Sequence, residues 1–348
     1  MSTFHNLTIK NIIKETKNAV SISFDIPRTL KNNFTFLAGQ YITLKTTLNG
    51  DEVRRAYSLC SSPSTGEIKV AVKAIENGLF SKYATTALAI GDVLEVSEPE
   101  GKFTLQLEAH KNYIAFAAGS GITPIMSMIK VVLETEETAT FTLIYGNKTI
   151  EDTIFFNDLN ILQQQYPEHF KLHYVFSRER QESSLFGRIE KDQVNYFIKN
   201  LYKHVAFDNA FLCGPETMIT MVSGALEENG MSSSQIAFEL FTASVNKDTV
   251  GDIKEGNSEL TIVLDDEQTT FSMPQTDTIL AASLRQKLDA PYSCQGGVCS
   301  SCIAKVVEGK AIMTKNQILT DAELEEGFIL TCQAHPITAK LVVDFDDV

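Results

Sequence analysis

The stretch PYSCQGGVCSSC at 291–302 places Cys294, Cys299 and Cys302 close together, and a fourth cysteine, Cys332, follows after a gap of 29 residues in ILTCQAHP at 329–336. The spacing is C-x4-C-x2-C, then a distant C. Four thiolates can converge on metal only if a tight loop supplies three of them and a remote segment supplies the last. Gly296 and Gly297 give that loop free backbone angles. They also bring backbone N–H groups toward the sulfurs. Zinc sites favour two C-x2–4-C knuckles, and only half of such a pair is present here. The spacing is that of a [2Fe–2S] centre, with Cys294, Cys299, Cys302 and Cys332 as its ligands.

Working outward, a hairpin is expected around Asp265-Asp266 and a helix near 277–288, both ahead of the cysteine loop. The wider text closely resembles a plant-type ferredoxin over 258–348, which implies an α+β (β-grasp) domain carrying the cluster. Gln295 departs from that pattern, since plant ferredoxins usually carry Arg there, so the electrostatics of the loop differ. Residues 242–257, TASVNKDTVGDIKEGN, are polar and aperiodic and read as a linker.

The whole chain has 348 residues, 43 % of them apolar and 21 % charged, and a net charge of −14. That length predicts two or three domains with ample cores and excludes disorder. The acidic balance argues against nucleic acid, which needs a basic patch, and against an anionic membrane. Six cysteines are too few for a disulfide scaffold. The N-terminus lacks a signal-peptide run. The longest nearly uncharged stretch, 113–133, is interrupted by GSGITP and contains Lys130, so it reads as strand, turn and helix rather than a membrane span. A cytoplasmic location with reduced thiols is expected.

Between 107 and 241, apolar strands (YIAFAA, TFTLIYG, KLHYVFS, AFLCG, IAFEL) alternate with helical stretches at 122–134, 154–165, 188–202 and 215–229. Such alternation predicts a doubly wound parallel sheet. Gly119, Gly121, Thr123 and Pro124 form a G-x-G-x-x-P turn after the first strand, where an open α/β sheet binds a pyrophosphate. Cys213, Gly214 and Pro215 close another strand at the same edge, and Ser177 with Arg178 close the third. A guanidinium there can hold a ribose 2′-phosphate in two hydrogen bonds. His169 and His173 fall in or beside a strand and predict no metal site, Met126, Met128, Met218 and Met221 read as helix core, and Glu134 to Glu137 read as a solvated loop.

Residues 1–106 carry short alternating runs separated by Asn49-Gly50, Pro63, Gly66 and Gly91-Asp92, which predicts a closed antiparallel barrel with one short helix near 79–88. Within RRAYSLCSSP, Arg55 and Tyr57 share one face of a strand and Ser58 follows; Cys60 reads as a small buried hydrophobe. Those three residues supply a cation for phosphate, a flat aromatic and a small polar group, as a flavin requires. Gly78 and Ser81, in GLFS, open the short helix, whose free N–H groups bind phosphate.

With Gly39-Gln40-Tyr41, these motifs resemble the ferredoxin–NADP reductase superfamily. The resemblance implies that Arg55, Gly78 and Ser81 hold flavin phosphates, that Tyr57 packs on the isoalloxazine and that Phe241 shields its face. It places Cys213 beside the nicotinamide and gives Ser58, Cys213 and Glu239 the catalytic roles of positioning and polarising the reacting rings. FAD is the usual ligand, FMN the less common one. The Ser177-Arg178 pair is similar to that of NADP-using members, which favours NADPH over NADH. The expected order is therefore a flavin-binding β-barrel (1–106), an NAD(P)-binding α/β domain (107–241), a linker (242–257) and a [2Fe–2S] domain (258–348).

That order is similar across the whole chain to the reductase components of multicomponent oxygenases, among them those of the di-iron phenylacetyl-CoA epoxidases and of steroid hydroxylases. It implies electron flow from NAD(P)H through flavin and cluster to an oxygenase. Residues 258–348 hold 14 acidic and 6 basic residues, against 30 and 24 in the remainder, so the partner is expected to present a basic docking face. The competing readings are a general NAD(P)H–ferredoxin-type reductase serving another hydroxylase, an electron-transfer subunit of a dihydroorotate dehydrogenase, and a scaffold with vestigial sites. The long final cysteine gap argues against the second, and the complete set of thiols and phosphate turns against the third.

Overall fold

The computed structural model describes residues 3–241, 253, 255–316 and 318–348. These form two compact units, Thr3–Glu239 and Leu240–Val348. Most of the expected linker, 242–252 and 254, lies outside the described residues.

The first unit opens with six antiparallel strands, β1 (Phe4–Thr16), β2 (Ala19–Asp25), β3 (Tyr41–Leu48), β4 (Asp51–Ser58), β5 (Ile68–Lys73) and β6 (Val93–Ser97), in the order β4-β3-β6-β1-β2-β5. A bridge between Leu59 and Val70 brings the two edges of this sheet together, closing the expected barrel. The β3–β4 hairpin turns on Asn49 and Gly50, both with positive φ (58° and 92°), as a two-residue type I′ turn requires. Inward residues such as Leu7, Ile22, Ile42, Leu44, Val70 and Val96 fill the barrel core. Helix α1 (Leu79–Thr86) follows β5, slightly shorter than the expected 79–88.

The parallel sheet follows as β7 (Asn112–Ala118), β8 (Thr140–Asn147), β9 (Phe170–Phe176), β10 (Leu185–Phe186), β11 (Asn209–Cys213) and β12 (Ile236–Glu239), in the order β10-β9-β8-β7-β11-β12. Strand order reverses at β7, so the crevice for a ligand lies at its C-terminal end. β7 is inaccessible at Ile114, Ala115, Phe116 and Ala117, and burying one large side chain there contributes roughly 1.5–3 kcal/mol. The helices are α2 (Ile122–Thr135), α3 (Phe156–Gln165), α4 (Lys191–Asn195) and α5 (Glu216–Glu228). The expected single helix at 188–202 is instead a short α-helix continued by a π-helical turn, Tyr196–Leu201. The acidic run also differs from expectation, because Glu134 and Thr135 still belong to α2.

Helix α2 ties the barrel to the sheet. Ser127 Oγ donates to Ser61 O (2.7 Å), Lys130 Nζ to Cys60 O (3.3 Å), and Ser64 Oγ to Glu134 Oε2 (2.7 Å). Cys60, Ala38, Phe103 and Leu105 join one apolar core with Met128, Ile125 and Phe211. The barrel and the parallel sheet are therefore held in fixed register with each other.

The second unit contains β13 (Asn257–Leu264), β14 (Glu267–Pro274), α6 (Ile279–Arg285), β15 (Ile303–Glu308), β16 (Ala311–Met313), α7 (Asp321–Glu325), β17 (Phe328–Leu330), β18 (Ala334–Pro336) and β19 (Lys340–Asp344). Its main sheet runs β14-β13-β19-β15-β17, with β13 and β19 parallel, and β16 pairs with β18. The expected hairpin is present: Asp265 and Asp266 both take positive φ, and the Asp346 carboxylate accepts their N–H groups at 3.0 and 2.9 Å. Among the described residues, no helix is long and apolar enough to cross a membrane.

Candidate active site and thiol cluster

Ser58, the last residue of β4, is buried, and its Oγ donates to Glu239 Oε2 at 3.1 Å. Glu239 ends β12, where it pairs in register with Cys213 at the end of β11. Three residues distant in sequence, all expected at the reacting centre, therefore meet. Burial pushes the Glu239 carboxyl up to about 8, opposed by the Ser58 hydrogen bond. Burial also holds the Cys213 thiol well above its usual range, with Glu239 adding to the shift. Both shifts favour the neutral forms, the protonated acid beside the un-ionised thiol.

The flavin-side residues cluster around the end of β4 and the start of α1. The Tyr57 ring lies 5.6 Å from that of Phe80 in the first turn of α1, and burial raises its phenol. Arg55 Nη1 donates to Arg54 O at 2.6 Å. Gly78 caps α1, and a Cβ there would lie 2.2 Å from Ser81 Oγ and 2.5 Å from Ile75 Cγ1, so both side chains would have to shift to admit one. Ser81 Oγ in turn accepts the N–H of Ile75 at 3.2 Å, which fixes the turn. Phe241 is exposed and belongs to the second unit.

On the sheet side, Gly119 has a positive φ of 55°, and its carbonyl accepts from Tyr145 Oη at 2.8 Å. Thr123 Oγ1 donates to Ser120 O at 3.1 Å, and Pro124 sits buried in the first turn of α2, where no N–H is needed. A Cβ on Gly121 would lie 2.1 Å from Cys213 O. The turns after β7 and β11 can thus touch only through glycine. A Cβ on Gly214 would lie 2.7 Å from Met218 Cε, and Pro215 caps α5. Ser177 and Arg178 sit beyond β9, their N–H groups donating to Asn147 O and Lys148 O at 2.9 Å each, and Arg178 is exposed.

Lys73 is a residue that sequence reasoning missed. It ends β5, and its Nζ lies 3.8 Å from the Cβ position of Gly119. The barrel therefore delivers a cation to the glycine turn of the sheet, and burial lowers its pKa. Read as a barrel strand, IKVAVKA gives no sign of this, because the contact joins two domains; its only signal is a lysine at the strand end just before the GLFS turn.

In the second unit the four cysteines come as two pairs. Cys299 Sγ lies 3.1 Å from Cys294 Sγ, and Cys302 hydrogen-bonds Cys332. The Cys299 S–H and the N–H of Gly296 (3.3 Å) lower the pKa of the Cys294 thiol, against the effect of burial. Among the described residues, no three His, Cys, Asp or Glu side chains are placed to hold a metal ion together. Four cysteine thiols are the donor set of a [2Fe–2S] centre, which takes two thiolates to each iron. Thr331, fully buried and next to Cys332, ties the second pair together: its N–H and Oγ1 both donate to Cys302 O, at 3.0 and 2.9 Å. Its role could not be read from the sequence, because it depends on the pairing of β15 with β17.

Two outcomes are expected. Gly121→Ala forces the two turns apart, at a cost of about 1–3 kcal/mol; it should lower Tm and raise the KM for NAD(P)H, and unchanged values of both would contradict the contact. Glu239, with its folded-state pKa above the unfolded one, binds more protons when folded between its ordinary value of 4.5 and about 8. Its contribution to stability is present at low pH and is lost as pH rises through that window. The Tm of the parent protein should therefore fall relative to Glu239→Gln as pH is raised from 5 to 8.5, and parallel curves would refute the assignment.

Comparison with known proteins follows the same division. Residues 6–105 match the oxidoreductase FAD-binding domain, 116–224 the oxidoreductase NAD-binding domain, and 262–336 the 2Fe-2S iron-sulfur cluster binding domain. The chain is 41 % identical over 351 residues to a component of the 1,2-phenylacetyl-CoA epoxidase of Escherichia coli K12, covering 99 % of each chain. It is 32 % identical to the ferredoxin reductase component of 3-ketosteroid-9-alpha-monooxygenase from Rhodococcus rhodochrous, covering 97 % of this chain and 96 % of the other. Phthalate dioxygenase reductase shares the fold, with a TM-score of 0.67, 24 % identity and 98 % of each chain covered. The chain belongs to the reductase components of oxygenases, NAD(P)H-dependent oxidoreductases that join FAD-binding, NAD-binding and [2Fe–2S] cluster-binding domains in one polypeptide.

Proposed function

We propose that this reductase takes electrons from NAD(P)H, NADPH in preference, and delivers them through FAD and a [2Fe–2S] cluster to a di-iron phenylacetyl-CoA epoxidase. The acceptor is suggested by the relative of 41 % identity over nearly the full length of both chains. The observation that carries the electron path is the meeting of Ser58, Glu239 and Cys213 between barrel and sheet. A nicotinamide gives up two electrons together and a cluster of this type takes one, so a flavin, able to exchange either, supplies the conversion.

The chain's own residues do the rest. Arg55 and the open turn of Gly78 and Ser81 hold flavin phosphates, and Tyr57, braced by Phe80, packs on the ring. Gly119, Gly121, Thr123 and Pro124 cradle the nucleotide pyrophosphate, with Lys73 as its counter-charge. Cys213, Gly214 and Pro215 line the nicotinamide pocket, and Ser177 with Arg178 holds a 2′-phosphate. Protonated Glu239, hydrogen-bonded to Ser58, keeps net charge out of the space where the rings meet. Cys294 and Cys299 hold one iron, and Cys302 and Cys332 the other. The acidic surplus of 258–348 favours an oxygenase with a basic docking face.

Stopped-flow reduction, with flavin and cluster bands followed separately, tests the division of labour. NADPH should reduce the flavin faster than NADH. Cys299→Ser should leave flavin reduction intact and abolish the cluster signal; loss of flavin reduction in a folded Cys299→Ser variant would overturn the path. Electron delivery to the purified epoxidase should slow as salt rises from about 0.1 to 1 M, where the screening length shrinks from about 10 to 3 Å. A rate independent of salt would remove the basic docking face.

A further inference from the structure

The residue after the fourth cysteine, Gln333, is buried, with only 7 % of its surface accessible. Its Nε2 lies 3.0 Å from Gln295 O, 2.9 Å from Cys332 O and 3.6 Å from Cys332 Sγ, while its Oε1 accepts from Thr314 Oγ1 at 3.1 Å. These partners fix the orientation of the amide. Two carbonyls and a sulfur surround one end and a hydroxyl the other, so a flipped amide would set its oxygen against two carbonyl oxygens. The side chain also fills the space beside Gly297, where a Cβ would lie 2.9 Å from Gln333 Cγ. Gln295 itself has a positive φ of 52°, a conformation that a side chain rarely adopts unless held. One carboxamide thus grips the segment after the first cysteine, and since its two N–H groups serve three acceptors, the sulfur of the fourth shares one of them with a carbonyl.

We propose that Gln333 is a positioning residue that raises the reduction potential of the cluster by donating its amide N–H to the Cys332 sulfur while locking the loop through Gln295. The proposal rests on the reading that Cys294, Cys299, Cys302 and Cys332 hold a [2Fe–2S] cluster. A hydrogen bond to a cluster sulfur stabilises the more negative, reduced state. Thr314 serves the same end at one remove, because its hydroxyl anchors the amide oxygen and leaves the N–H directed at the sulfur.

The test is an EPR-monitored redox titration of the full-length protein. Gln333→Leu keeps the volume and removes the amide. It should lower the midpoint potential enough to shift the flavin–cluster equilibrium about tenfold toward oxidised cluster, which is about 59 mV for a one-electron couple. Thr314→Val should move it the same way by less, and Gln333→Asn should restore part of the loss. An unchanged potential in Gln333→Leu would overturn the proposal. Should that variant fail to retain iron, an unchanged potential in Thr314→Val would overturn it equally. A parent protein without a [2Fe–2S] signal would instead refute the reading of the four thiols, so the two failures are distinguishable.

Discussion

The 3.1 Å hydrogen bond between Ser58 and Glu239 joins the end of a barrel strand to the end of a parallel strand. Nothing local in either segment requires the other. What makes the bond possible is the packing behind it: α2 is held to the barrel by Ser127 and Lys130, and a shared apolar core runs from Cys60 to Phe211. Once the halves are fixed in this register, Cys213 and Glu239 arrive as neighbours, and Lys73 reaches the glycine turn. Two open edges, each suited to a phosphate-bearing cofactor, become one site.

Glycine sets the tolerance of that site. Gly121 lies so close to Cys213 O that any side chain would separate the two turns, and Gly78 lies equally close to Ser81. These residues were legible in the sequence because glycine before a helix at a sheet edge has few other uses. The Asn49-Gly50 and Asp265-Asp266 turns were legible for a similar reason, since both need positive φ at adjacent positions. The strand–helix alternation and the cysteine spacing likewise carried most of the fold.

What escaped the sequence was set by tertiary contact. Strand β10 is two residues long, too short to show a period. The break of the helix at 188–202 into an α and a π segment leaves no trace in its apolar pattern. Lys73, Thr331 and Gln333 each act through partners far away in sequence, so their neighbours give no hint of their roles. In the iron–sulfur unit this matters most: the four cysteines name the ligands expected, whereas the hydrogen bonds of Thr331 to Cys302 O and of Gln333 to Gln295 O and Cys332 O leave no mark in their spacing.

The four clustered thiols, Cys294 with Cys299 and Cys302 with Cys332, underlie the view of this chain as a converter of electron pairs into single electrons. Metal and acid-labile sulfide analysis of the purified protein, combined with EPR after dithionite reduction, tests that view most directly. It predicts two irons and two sulfides per chain and a signal from one unpaired electron. One zinc per chain, or no metal in a folded protein, would contradict it.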